Sequence, residues 1–401
     1  MLKAIFSSLL VSCVITVAAY RDAAAQEVTA RPVAELLPAQ LADVGQTARI
    51  RAFDVGPDGN SLAVLYVLWG SSPSRGGAEL WVAVWDISSG KFRLTWKDRI
   101  AAENLSGAAG IKDAKEVIFT ADKSQLLVLA LSRVWRLDAK NGGASVLVAG
   151  PKNALGQVIQ MRLVTDATIA VTYEQDANRS FLTELIDISS RKKIISWTTS
   201  AVPQSFSADG KLAITVTRGF GEVNLQVVDT SSGATLRTVP VTVVSTKHRS
   251  HESVSALARF LDKNHVVVAP SHVIDRQGKP PAYGLLVIDA SDGRLVREIT
   301  PKYYRPGGDI VVSRNRGEFV VYSLYARERD FRWESLHPKD LKINLFVFRK
   351  DSGTPDAEIP NVYVALEGGK GEPLRLSSDG SVLAVSESPS GSIKIFQIKA
   401  P

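Results

Sequence analysis

Short apolar runs alternate with turn-forming clusters along most of the chain. The runs are rich in branched side chains and include Leu62 to Val67, Leu80 to Val84, Leu126 to Leu131, Leu225 to Val228, Val266 to Ala269 and Leu285 to Ile288. Runs of this length and composition predict β-strands. Beyond the N-terminal region only residues 100–105 suggest a helical turn, so crossover helices are not expected and the pattern predicts an all-β chain.

One recurrent turn motif precedes a β-rich run and centres on an aspartate. Its clear copies are Gly56-Pro57-Asp58-Gly59, Ser207-Ala208-Asp209-Gly210 and Ser377-Ser378-Asp379-Gly380. Degenerate copies have Asp122, Asp166, Asp262 and Asn315 at the matching position, which gives seven in all. We expect these side chains to form turns by bonding nearby backbone N–H groups, rather than to take part in catalysis.

A second motif follows a strand and places a glycine four residues after an aspartate. The complete copies are Asp86 to Gly90, Asp138 to Gly142, Asp229 to Gly233 and Asp289 to Gly293. Asp187 to Arg191 and Arg349 to Gly353 each lack one end of the motif, and a seventh copy is cut short at Phe396-Gln397-Ile398. The glycine is suited to the left-handed conformation that closes a hairpin.

Together the two motifs resemble the repeats of WD40-type and TolB-like bacterial β-propellers over residues 45–401. Trp85-Asp86 is the one literal Trp-Asp pair, the Gly-His dipeptide of regular WD40 repeats is absent, and the Ser-x-Asp-Gly turns are closer to the bacterial families. The resemblance implies a seven-bladed β-propeller of four-stranded antiparallel blades, with six or eight blades as the alternative. We expect Val28 to Leu37 to supply the outer strand of the last blade and close the ring.

The N-terminus is typical of a secretory signal peptide. Lys3 is followed by the apolar stretch from Ala4 to Ala19, and three alanines precede a cleavage point before Gln26. This predicts a signal peptide over 1–25, a closing strand and linker over 26–44, a propeller over 45–401, and a periplasmic or secreted location. The alternative is lipidation at Cys13 in Leu10-Val11-Ser12-Cys13, but the apolar run continues beyond that cysteine.

Composition and charge exclude several classes of function. The formal net charge is +7, but the lysines and arginines are dispersed, so we expect no nucleic-acid partner. The single cysteine lies in the N-terminal leader, no later segment is long enough for a membrane span, and we expect a monomer. No nucleophile elbow, phosphate loop or haem motif occurs, so no cofactor is expected and any catalytic residues are unknown.

The candidate binding residues lie in a long loop of the sixth blade. Arginine and aromatic side chains are concentrated there, and these types are enriched at recognition surfaces: Arg327, Arg329, Phe331, Arg332, Trp333 and His337. Motif spacing predicts long loops in blades one, five and six on one face of the propeller. In the competing interpretation, the arginines pair with neighbouring carboxylates and the aromatic rings pack onto the blade.

Three histidines form the candidate metal site. His248 and His251 flank an Arg-Ser pair, and His272 falls on the same predicted face. The spacing differs from the zinc-protease motif, so we treat a metal site as the alternative. His265 precedes a run of valines and is expected to be a bonded strand residue.

These observations favour an exported, non-catalytic binding or scaffold propeller. We expect it to contact a protein or envelope component through the loop face of blades five and six. The alternative is a hydrolase or lactonase-like enzyme with a site at the mouth of the central channel. An inward cluster of carboxylates, asparagine and histidine would favour the enzyme, and an arginine-rich and aromatic rim would favour binding.

Overall fold

The computed structural model describes residues 28–42, 47–69, 79–99, 114–149, 157–175, 180–218, 223–241, 255–271, 285–299, 310–313, 319–324, 342–349, 352–363, 373–387 and 391–399. These residues form strands and tight turns, with one short 3₁₀ helix at Pro38–Leu41. The prediction of an all-β propeller built from four-stranded antiparallel blades is confirmed. No helix among the described residues has the length and apolar character needed to cross a membrane.

The strands follow one another along the chain in groups of four. The N-terminal strand is β1 (Thr29–Leu36), and the next three groups are β2 (Thr47–Val55), β3 (Ser61–Trp69), β4 (Glu79–Asp86), β5 (Lys91–Arg99), β6 (Ala114–Phe119), β7 (Gln125–Ala130), β8 (Arg133–Asp138), β9 (Ala144–Val148), β10 (Val158–Thr165), β11 (Thr168–Glu174), β12 (Phe181–Asp187) and β13 (Lys193–Thr199). The remaining strands are β14 (Pro203–Phe206), β15 (Leu212–Arg218), β16 (Val223–Asp229), β17 (Thr235–Val241), β18 (Ser255–Phe260), β19 (His265–Ser271), β20 (Leu285–Asp289), β21 (Leu295–Ile299), β22 (Ile310–Val312), β23 (Phe319–Leu324), β24 (Lys342–Phe348), β25 (Ala357–Tyr363), β26 (Leu374–Leu376), β27 (Val382–Ser386) and β28 (Ile393–Lys399).

The described strands form seven four-stranded sheets, which we number as blades in chain order. Blades one to six contain β2–β5, β6–β9, β10–β13, β14–β17, β18–β21 and β22–β25, each in sequential order. Blade seven has the order β1-β28-β27-β26, so it joins the N-terminal strand to the last three strands. In this sheet Thr29 lies opposite Lys399 and Leu36 opposite Ile393.

The core lies between neighbouring blades because both faces of the inner strands are covered. Every residue from Leu62 to Leu68 in β3 is buried, which explains why this strand reads as a continuous apolar run rather than an alternating one. Leu65 of blade one packs in one cluster with Leu126 of blade two. Leu36 and Ile393 of blade seven likewise share a cluster with Phe53 of blade one, so the last blade packs against the first.

The turn aspartates hold the hairpins as predicted. Asp58, Asp209 and Asp379 occupy equivalent first-to-second-strand turns and accept hydrogen bonds from the backbone N–H two residues later, at 3.2, 3.2 and 3.0 Å. In the second motif, Gly90, Gly142, Gly233 and Gly293 have φ of 67°, 73°, 72° and 77°. These are left-handed values that glycine adopts at little cost.

His265 is a bonded strand residue, as expected. It opens β19, and its Nδ1 lies 2.9 Å from Asp262 Oδ2. Its backbone N–H also donates to Asp262, at 2.8 Å. This histidine therefore fixes the turn at the start of its strand.

The second-to-third-strand connections leave the blades at the end opposite the first-to-second-strand turns, because each sheet is antiparallel and sequential. In blades one, five and six these connections are residues 70–78, 272–284 and 325–341, whereas blade two uses only residues 131–132 and blade four 219–222. The strand bounds therefore confirm the prediction that blades one, five and six have long second-to-third-strand connections. The three long segments themselves lie outside the described residues.

Candidate functional site: the central cavity

The first strand of every blade contributes to one central cavity of about 240 Å³. Seven lining residues, one from each blade, form what we call the cavity ring: Asp54, Ile118, Arg162, Ser205, Arg259, Val311 and Arg375. The cavity is also lined by Pro57, Ala208, Asp262 and Ser378, which belong to first-to-second-strand turns. It therefore lies at the hairpin end of the channel, opposite the long loops.

Strand register explains why the ring residues share one level. Each ring arginine is followed by a residue that pairs with the second residue of the next strand. These pairs are Leu163 with Ile169, Phe260 with Val266, and Leu376 with Leu383. Asp54 likewise precedes Val55, which pairs with Leu62. Equivalent positions in a repeat fold lie at equivalent places in space, so the three arginines approach the cavity from blades three, five and seven.

The ring arginines are held by neighbouring groups. Arg375 is 8% exposed, and its Nε lies 3.9 Å from Asp54 Oδ1 across the junction of blades seven and one. Arg162 forms an ion pair with the buried Glu116 of blade two. Arg259 donates from Nη1 to Ala258 O at 3.2 Å. The guanidinium groups are thus fixed within the wall of the channel.

Other polar side chains of the first strands join neighbouring blades. Asp54 accepts a hydrogen bond from Phe119 N at 2.8 Å, and Glu116 accepts one from Met161 N at 3.0 Å. Further along, Gln204 and Ser205 accept from the backbone N–H groups of Ala258 and Phe260, at 2.8 and 3.0 Å. The first strand forms the inner edge of its sheet, so the N–H groups on its free edge have no neighbouring strand as a partner. They need side-chain acceptors such as these when they are removed from water.

A second cavity of about 460 Å³ lies between blades two, three and four. Its polar lining comprises Lys115, Glu116, Gln160, Arg162 and Glu174, and Phe181 and Val202 are among its apolar residues. Because Arg162 lines both cavities, its side chain stands between them. The two basic and two acidic residues of this second cavity balance in formal charge.

The central cavity is lined by charged residues of both signs. Arg162, Arg259 and Arg375 line it together with Asp54 and Asp262. The Arg162 guanidinium pairs with Glu116, which lines the second cavity. Asp262 is fixed by the backbone N–H groups of Asn264 and His265, both at 2.8 Å. Arginine stays protonated and offers planar sets of donors that fit carboxylate or phosphate oxygens. Within the described ranges, no group of three His, Cys, Asp or Glu side chains is placed to hold a metal ion.

None of the candidate residues singled out from sequence is among the described residues. Arg327, Arg329, Phe331, Arg332, Trp333 and His337 fall outside the described residues, as do His248, His251 and His272. Sequence reasoning placed the site on the loop face, whereas the cavity ring lies at the hairpin end and was missed. A signal for it existed, because Arg162 and Arg375 stand four residues before the turn aspartates Asp166 and Asp379, as Asp54 stands before Asp58.

Comparison with known proteins defines the class of fold and nothing narrower. No protein-family model matches the chain, and no curated protein matches it. An oligogalacturonate lyase in complex with manganese has a TM-score of 0.55 at 10% identity, with 94% of this chain and 98% of the other covered. The Cps50 (Swd1) β-propeller domain of Myceliophteria thermophila has a TM-score of 0.51 at 12% identity, with 91% and 100% covered.

Hydrazine synthase of Kuenenia stuttgartiensis is similar to the same extent, with a TM-score of 0.50, 13% identity and coverage of 91% and 97%. At these identities the likeness establishes that the chain is a β-propeller. The similar structures include enzymes as well as a propeller domain named without an activity, so the shared fold does not by itself separate catalysis from binding.

Proposed function

We propose that this chain is an exported, non-catalytic binding propeller. Its partner is a protein or envelope component, contacted through the loop end of blades five and six. Export follows from the predicted signal peptide over 1–25, and the working form is a monomeric ring of seven blades closed by β1. The pairing of β1 with β28, the packing of blade seven on blade one, and the one-per-blade cavity ring support that ring.

The observation that carries the proposal is the unequal length of connections at the two ends of the blades. Hairpin turns such as 56–60 and 207–211 are short and alike, whereas connections 272–284 and 325–341 are long and lie at the opposite end. Propellers tolerate insertions there because the sheets are already complete, and binding residues are commonly carried on such segments. The longest, 325–341, contains the three arginines and two aromatic residues identified from sequence.

The lining of the central cavity also supports binding over catalysis. Its charged groups are three arginines and two aspartates, and Asp54 and Asp262 accept hydrogen bonds from backbone N–H groups. Arginine-rich surfaces are typical of recognition sites, whereas general acid–base catalysis needs a group poised to exchange a proton. The arginine-rich and aromatic loop rim that would favour binding lies outside the described residues.

Site-specific photo-crosslinking in the native envelope tests the loop contact. A photoreactive residue at Trp333 should give one discrete adduct, and the same residue at Lys140, an exposed hairpin-turn position, should not. Replacing Arg327, Arg329 and Arg332 with glutamine should weaken the Trp333 adduct about tenfold or more, since interface arginines commonly contribute about 2 kcal/mol. The matched control replaces Lys140, Lys192 and Lys263, which removes equal charge at the opposite end.

Two outcomes contradict the proposal. If the same adduct forms from position 140, or if the triple arginine variant gives the Trp333 adduct in the same yield as the parent chain, blades five and six do not provide the contact. If that variant instead melts much earlier than the lysine control, the loop arginines pair internally and the packing interpretation holds. N-terminal sequencing of the exported chain tests processing separately: a start at Gln26 supports it, and acylated Cys13 contradicts it.

A further inference from the structure

The turn between β8 and β9 of blade two contains the one Asn-Gly pair of the sequence, Asn141-Gly142. Asparagine is among the thermolabile residue types of proteins. We propose that Asn141 is a site of spontaneous modification, at which the backbone nitrogen of Gly142 attacks the side-chain amide and converts asparagine to aspartate and isoaspartate. The site lies at the hairpin end of blade two, so it can be tested separately from the contacts proposed for the loop end.

Gly142 leaves the side-chain amide of Asn141 open to attack. The reaction brings the nitrogen of the following residue to Cγ of the asparagine, and a side chain on that residue hinders the approach. Gly142 has none, and its φ of 73° is in the left-handed region, where other residues would be strained. Asn141 is exposed, so water reaches the amide.

A backbone donor is already aimed at the atom on which charge develops. Attack on Cγ moves negative charge onto Oδ1 of Asn141, and the N–H of Gly143 donates a hydrogen bond to that oxygen at 2.8 Å. Such a donor lowers the barrier in the same way as the oxyanion hole of an enzyme. The Gly142 N–H donates to Asp138 O at 3.0 Å, and this bond must open before the nitrogen can attack. Because the turn is exposed, such local opening costs little free energy.

Water is the only co-reactant, and no atom is oxidised or reduced. The Gly142 nitrogen loses its proton and bonds to Cγ of Asn141, while Nδ2 takes up a proton and leaves as ammonia. Water then opens the resulting cyclic imide at either carbonyl. Cleavage of the new bond to Cγ gives aspartate, and cleavage of the original peptide bond gives isoaspartate, whose backbone runs through the side chain.

The equivalent turns of other blades lack a side-chain amide at this position. The residues that match Asn141 in blades one, three, four and five are Ser89, Ser190, Ser232 and Asp292. A hydroxyl cannot form the imide, and an ionised carboxylate is a poor electrophile. The blade-five turn otherwise has the same geometry, because Arg294 N donates to Asp292 Oδ1 at 2.8 Å. An aspartate at position 141 therefore fits the turn, whereas isoaspartate lengthens the backbone by a carbon and should weaken it.

Peptide mapping by mass spectrometry tests the proposal on the full chain after incubation for several weeks at neutral pH and physiological temperature. We expect Asn141 to yield both aspartate and isoaspartate, at least about tenfold faster than Asn60 is converted. Asn60 is the internal control, because it is also an exposed turn residue. It is followed by the side chain of Ser61, and its Nδ2 donates to Asp58 at 2.8 Å. Asn141→Ser should remove the product altogether.

Asp292→Asn supplies a gain of reactivity in the equivalent turn of blade five. It places a second Asn-Gly pair in front of the Arg294 donor, so position 292 should convert at a rate similar to that of Asn141. Absence of conversion at Asn141, formation of aspartate without isoaspartate, equal rates at Asn60 and Asn141, or an unreactive Asp292→Asn variant would each overturn the proposal. Circular dichroism spectra matching the parent chain establish that each variant is folded.

Discussion

Asp54 of blade one lies 3.9 Å from the guanidinium Nε of Arg375 in blade seven, and its second carboxylate oxygen accepts a hydrogen bond from Phe119 N of blade two at 2.8 Å. One side chain therefore touches both neighbouring blades. Blade seven contains strands from the two ends of the chain. This contact therefore joins the first blade in the sequence to the blade that combines both chain ends. Its loss should affect the packing of three blades rather than one hairpin.

We expect Asp54→Ala to destabilise the protein by about 2 kcal/mol or more, because it removes the acceptor of a backbone N–H and the countercharge of a buried arginine. Asp54→Asn should cost less, since it retains the acceptor. Urea unfolding of both variants provides the measurement. Equal stability of the alanine variant and the parent chain would show that Asp54 does not join the blades.

The strand and turn pattern was predictable because its causes are local. An aspartate such as Asp209 bonds an N–H two residues away, and a glycine such as Gly233 adopts a positive φ within the same turn. Both effects depend on residue type and spacing, which the sequence displays directly. The same reasoning identified the segment that forms β1, because the last repeat lacked an outer strand.

The cavity ring was not predicted because its members are far apart in sequence. Arg375 and Asp54 become neighbours only when blade seven packs on blade one, and Arg162 meets Glu116 only through the register of two separate sheets. Aligning the repeats would have placed Asp54, Arg162 and Arg375 in one column. That column does not reveal which side of the strand faces the channel, which depends on how the blades pack.

Gly233→Ala should be strongly destabilising. Gly233 has φ of 72°, and a Cβ there would overlap Trp197 of the preceding blade, with Trp197 Cγ only 2.7 Å away. The conformational cost and the overlap together should reach at least about 2 kcal/mol. Gly90→Ala is the control, because Gly90 has φ of 67° but nothing within 4 Å of the added carbon. That variant should lose only about 1 kcal/mol; similar losses in both would mean that blade packing plays no part.

Arg191→Gly should stabilise the protein. Arg191 occupies the position that is glycine in the complete copies of the second turn motif, and its φ is 61°. A side chain in this left-handed region costs about 1 kcal/mol or more, part of which is offset by the greater freedom of glycine in the unfolded chain. We expect a net gain of about 0.5 kcal/mol by urea denaturation. Lys192→Gly is the control, because Lys192 is not among the described residues with positive φ. This variant should not stabilise the protein.

Stability should fall in acid as the turn carboxylates are protonated. The backbone N–H of Ser190, together with the hydroxyls of Ser190 and Ser189, lowers the pKa of Asp187 to about 2. The unfolded value is about 3.9, so the folded state binds the proton less readily. The stabilisation is therefore complete above about pH 4 and disappears as the pH falls towards 2. The pKa values of Asp86, Asp229 and Asp289 are lowered in the same direction by hydrogen bonds from serines of their own turns.

Asp187→Asn isolates the contribution of one turn, because asparagine keeps an acceptor oxygen and cannot be protonated in this range. We expect the midpoint of thermal unfolding of the parent chain to be steady from pH 7 to about 5 and to fall between about 4 and 2. The asparagine variant should start lower at pH 7 and lose less over that interval, so the two curves converge in acid. Asp292→Asn, in the turn of blade five, controls for removing one exposed negative charge. Parallel curves for the parent chain and Asp187→Asn would show that the turn carboxylate does not couple protonation to folding.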